Sequence, residues 1–127
     1  MSRSALHFLR KAVVGREIMA HRRLEEWVQA LETIRSQSVD AEVLGTLRKA
    51  LADRNNFVVA KGAQVAEEKN TAELLPELTA AFERFFTNAL KSDPQCWAKN
   101  ALSRALASLG CTEKSVFLRG LHFCQME

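Results

Sequence analysis

An all-α protein, a short row of antiparallel helix pairs, is the fold the sequence predicts, and three observations carry that prediction. Apolar residues recur every three or four positions along most of the chain, the period of a helix with one buried face. The 127 residues include 5 Gly, 2 Pro and no Tyr, too few turn-formers for an all-β barrel that reverses about every ten residues. A set of cap and core residues also repeats at a step of 38 positions. Hydrophobic residues at 47% and charged residues at 26% exclude a mainly disordered or fibrous chain. The length suits one domain.

Residues 4–14 are predicted as a first helix with Leu6, Leu9 and Val13 on one face, and Gly15 is expected to break it from a second over 17–35. That second helix has an apolar seam of Leu24, Trp27, Val28, Leu31 and Ile34. Ser38 is expected to cap a helix over 39–52 carrying Val43, Leu44, Leu47 and Leu51. Asn55 caps the next, 56–68, with Val58, Val59, Gly62, Ala63, Val65 and Ala66 facing inward.

Asn70-Thr71-Ala72-Glu73 has the spacing of a capping box and opens a helix over 72–90, which Pro76 should kink. Asp93-Pro94 is the sharpest start signal, placing a capping carboxylate before a proline at the first helical position of 94–109. Gly110 supplies a left-handed C-terminal cap, and Thr112 caps a last helix over 113–125. The expected organisation of 1–127 is a degenerate helix pair at 1–38, repeats at 39–70 and 71–110, and a C-terminal half-repeat at 111–127.

Adding 38 carries Leu44 to Phe82, Leu47 to Phe85, Asn55 to Asp93, Ala60 to Ala98, Lys61 to Lys99 and Ala63 to Ala101. A helix-pair repeat of that length lies just under the HEAT/armadillo range. Glu73-Leu74-Leu75-Pro76-Glu77-Leu78, followed by Asp93-Pro94, Ala98-Lys99-Asn100-Ala101 and Ala105-Leu106, resembles the HEAT-repeat family. The likeness is good over 71–110 and moderate over 39–68, where Asn55-Asn56 replaces Asp-Pro and Gly62 replaces Ala. It implies an α-solenoid whose second helices line a concave, partner-binding face, with no chemistry of its own. Ala63 and Ala101 should then lie at the seam between second helices.

On that face the expected partner-binding residues are Lys61, Gln64, Gln95, Trp97, Lys99, Asn100, Ser103 and Arg104. Lys61 and Lys99 read first as a ladder pairing with Asp53 and Asp93, and second as ligand-facing cations. Trp97 reads equally as a binding anchor or as core near a helix start. Phe82, Phe85 and Phe86 follow the apolar stripe and belong to the core.

The chain has no glycine-rich phosphate loop, no GxSxG and no HExxH. His122 and Cys124 are two residues apart, off the helical spacing of three or four, and neither His7 nor His21 completes a metal pattern. No catalytic residue, cofactor or metal is therefore assigned. Cys96, Cys111 and Cys124 form no disulfide framework. With no signal peptide and no apolar run of membrane length, a cytoplasmic protein is expected.

Residues 1–23 carry six Lys or Arg against Glu17 alone, whereas 24–127 carry twelve against fourteen acids. That basic head has the composition of a mitochondrial presequence, but a packed first helix is the preferred reading. Binding of a protein partner is the expected function. The alternatives are nucleic-acid binding through Arg3, Arg10, Lys11, Arg16, Arg22 and Arg23, and an accessory or lyase-type helper role. Phe117, Leu121 and Phe123 spread over more than one face of the last helix. They predict either a fragment of a longer solenoid or a homodimer contact.

Overall fold

The computed structural model describes the backbone of residues 3–122 and the side chains of residues 18–118. Among them are seven α-helices and two 3-10 turns, with no strand. Helix α1, Arg3–Arg35, runs through Gly15 without a break, about 50 Å at 1.5 Å per residue. One glycine costs a helix only about 1 kcal/mol, and neither proline nor a capping side chain follows to end it. Leu31 and Ile34 near its C-terminal end enter the core, with Leu24 and Trp27 packed at its edge.

Asp40, not Ser38, caps α2 (Ala41–Leu51): its backbone is extended and its carboxylate accepts from the Val43 amide at 2.8 Å. The expected cap at Asn55 is present on α3 (Asn56–Glu68), where the side-chain oxygen accepts from the amides of Phe57 and Val58.

The predicted helix over 72–90 is divided. A 3-10 turn at Ala72–Leu74 leads into α4, Leu75–Arg84. Pro76 falls in the first turn of α4, where its missing N–H removes no helical bond, so it does not act as a mid-helix kink. The capping box does not form either, because Asn70 is left-handed at φ 54° and closes α3 through its amide bond to Glu67, while the Thr71 hydroxyl donates to the Ala66 carbonyl. After Arg84 the Phe85 carbonyl accepts from Lys99 Nζ at 3.4 Å, Asn88 adopts a left-handed conformation, and the four-residue helix α5, Ala89–Ser92, follows.

A second 3-10 turn, Pro94–Cys96, holds Gln95 and Cys96 at positive φ. Helix α6 consequently starts at Trp97, three residues later than predicted, and runs to Ser108. Gly110 has φ +85°, and the amides of Gly110 and Cys111 donate to Ala107 and Leu106, a Schellman closure. Helix α7 spans Lys114–His122.

The most extensive helix contact joins α3 to α6; α2 packs on α3, α4 on α6, and α1 on both α3 and α2. One apolar cluster runs through all of them, from Leu31 through Val43, Leu47 and Val59 to Phe82, Leu102 and Leu106.

Caps and burial align α3 with α6 at a step of 40, in place of the predicted 38. Asn70 and Thr71 close α3 with amide bonds to Glu67 and Ala66, the same Schellman pattern as Gly110 and Cys111 forty residues on. Buried Val58, Val59, Gly62, Val65 and Ala66 correspond to buried Ala98, Lys99, Leu102, Ala105 and Leu106. Between α2 and α4 the step is shorter: Val43, Leu47 and Ala50 correspond to Leu78, Phe82 and Phe85 at 35. The longer connection through α5 accounts for the difference. Among the described residues no helix is long and apolar enough to cross a membrane.

Candidate functional site

Side-by-side packing of α3 and α6 leaves a surface groove of about 810 Å³. Its walls are made by residues 40 apart, Phe57 with Trp97, Ala60 with Asn100, Lys61 with Ala101, Gln64 with Arg104, and Glu68 with Ser108, with Glu67 added near the C-terminal end. Both helices therefore present corresponding faces, and their N-termini lie at the same end.

At that end the Phe57 and Trp97 rings meet at 5.8 Å between centroids with a 53° tilt, within the range of favourable aromatic pairs. Trp97 remains 50% exposed. Lys61 Nζ is held by Glu32 of α1 at 2.8 Å. Arg35 grips Glu68 through two bonds of 2.6 Å and also reaches Glu32 at 3.0 Å. The Lys61 hydrogen bond, and then the Arg35 charge, hold the Glu32 carboxyl below its ordinary pKa. Arg35 depresses Glu68 in the same way. By contrast, the side chains of Gln64, Asn100 and Arg104 make no hydrogen bond or ion pair among the described residues.

Lys61, Gln64, Trp97, Asn100 and Arg104 are thus brought together, while Gln95, Lys99 and Ser103 lie outside the groove lining. Lys99 is 5% exposed because it stands at the position of buried Val59, and its Nζ bonds Asp93 at 2.9 Å. The Asp93 carboxylate also accepts from the amides of Ala98 and Lys99 and from the Asn56 side chain. Burial alone would raise its pKa, but these four bonds outweigh that effect and hold it below the ordinary value.

The expected Lys61–Asp53 pair is replaced by Lys61–Glu32. Asp53 is met by Arg23, and it accepts from the Asn55 amide at 2.9 Å. Arg84 ties the same turn by donating to the Leu51 and Asp53 carbonyls. Ala63 is buried, whereas Ala101 is half-buried in the groove wall.

Compared with known proteins, the chain matches no family model, no curated protein and no solved structure. Sequence reasoning missed Phe57, Ala60, Glu67, Glu68, Ala101 and Ser108 as groove residues, Ala101 having been expected at the helix seam. The signal available was the aromatic pair Phe57 and Trp97 at a step of 40, obscured by the stronger cap and lysine matches at 38. Among the described residues no three His, Cys, Asp or Glu side chains are grouped as a metal site. Phe117 packs half-buried against the core and Leu118 is 50% exposed. Leu121, Phe123, and the basic residues Arg3, Arg10, Lys11 and Arg16 lie outside the described side chains.

Proposed function

We propose that the protein is a small non-enzymatic scaffold, a HEAT-like α-solenoid of stacked helix pairs, that binds a partner protein along the α3/α6 face. The observation that carries this reading is Trp97, half-exposed against Phe57 in a groove whose Gln64, Asn100 and Arg104 side chains have no polar partners among the described residues. Trp and Arg concentrate binding energy in protein interfaces. Polar side chains left free around an aromatic pair fix the orientation of an incoming chain at little cost in reorganisation.

Affinity capture from an extract of the native source tests the proposal, comparing the parent, a Trp97→Ala/Arg104→Glu variant and a Leu90→Ala control on exposed α5. A protein retained by parent and control but lost from the groove variant supports it. Retention by all three, or by none, contradicts it.

A further inference from the structure

The groove is graded along its length. Two rings form its first turn, donors crowd its middle in Asn100, Gln64 and Arg104, and carboxylates lie at its far end. Lys61 and Glu68 are already held by Glu32 and Arg35. Among the described residues Arg104 is the groove cation left for a ligand, and as a helical side chain it leans toward the N-terminal, aromatic end. A seven-residue separation places Trp97 and Arg104 about 10 Å apart along α6, the rise of three residues of extended chain.

From Trp97 to Ser108 the groove runs about 16 Å, and an extended chain spans the interval from Trp97 to Arg104 with about three residues where a helix would need about seven. With Lys61 and Arg35 paired to Glu32 and Glu68, the groove offers one unpaired cation among the described residues, enough for a single carboxylate and too few for the run of phosphates in a nucleic-acid backbone.

We infer that the groove takes an extended segment of a partner protein carrying an apolar ring residue, which packs on Phe57 and Trp97, and a carboxylate about three residues away, which meets Arg104. This rests on the protein-binding reading above and adds the chemistry of the partner.

Selection of a displayed library of random eight-residue peptides on the full chain tests it. The expected result is enrichment of Pro, Phe or Tyr with Asp or Glu two to four residues away. A synthetic peptide of that pattern should lose affinity about tenfold or more on Trp97→Ala or Arg104→Glu. Replacing its carboxylate by Lys should restore binding to Arg104→Glu, an outcome that a merely misfolded variant could not give.

Peptides without a fixed acid, or a preference for Lys and Arg, overturn the inference. So does a single-stranded oligonucleotide whose binding depends on Trp97. If extract capture still depends on the groove while the library shows no acid, the partner chemistry is wrong and the protein-binding reading stands. If neither depends on Trp97, both fail.

Discussion

Lys99 shows how one residue can carry the wrong message when spacing alone is considered. Forty residues before it stands Val59, and both are buried, so the lysine must be neutralised where the valine only packs. Asp93 does this while also accepting the first amides of α6. Breaking a buried pair from one side leaves an uncompensated charge, so Asp93→Ala should lower unfolding free energy by about 3–5 kcal/mol in urea titration. The Asp93 pKa is lower folded than unfolded, which means the folded state binds fewer protons. Its contribution is therefore whole above the unfolded value of about 3.9 and is lost as pH falls through the folded value. The parent should lose stability more steeply below pH 4 than Asp93→Asn, and acid titrations of the two proteins in urea measure this.

Helix pairing rests on small residues placed where backbones approach. A Cβ built on Gly62 would lie 3.2 Å from Ala50 Cβ, which is fixed to the α2 backbone, and 3.7 Å from Leu51 Cδ2. Gly62→Leu is expected to cost about 1–3 kcal/mol by overpacking. Ala101→Leu, projecting into the groove, should change stability by less than about 0.5 kcal/mol. Thermal melts of the two variants distinguish seam from groove. Asn70 supplies the left-handed turn after α3 at φ 54°, a conformation with a steric cost of about 1–2 kcal/mol for most side chains. Asn70→Gly should melt at or above the parent temperature and Asn70→Ala below it.

These elements were legible to different degrees. Helices α2 and α3 were readable because their stripes and the Asn55 cap are uninterrupted. The division of 72–90 was not: it coincides with a left-handed Asn88 and with Lys99 Nζ reaching the Phe85 carbonyl, a contact between residues fourteen apart. The start of α6 was displaced for a related reason: Asp93 does cap it, but across a 3-10 turn containing two left-handed residues.

On the scale of the molecule, the all-α class followed from composition and periodicity, whereas the repeat register did not. Burial in α2 and α4 corresponds at 35 and in α3 and α6 at 40, and a single step of 38 falls between them. That compromise made Lys61 and Lys99 look equivalent, although one rims the groove and the other is in the core. It still identified five groove residues, Lys61, Gln64, Trp97, Asn100 and Arg104. The groove depends on α3 and α6 lying in the 40-residue register. Nuclear Overhauser spectroscopy of the isotope-labelled chain tests this most directly. The register predicts cross-peaks between the Trp97 indole and Phe57 ring protons, whose ring centroids are 5.8 Å apart. A fully assigned spectrum of the folded protein with no Phe57 cross-peak to Trp97 would contradict it.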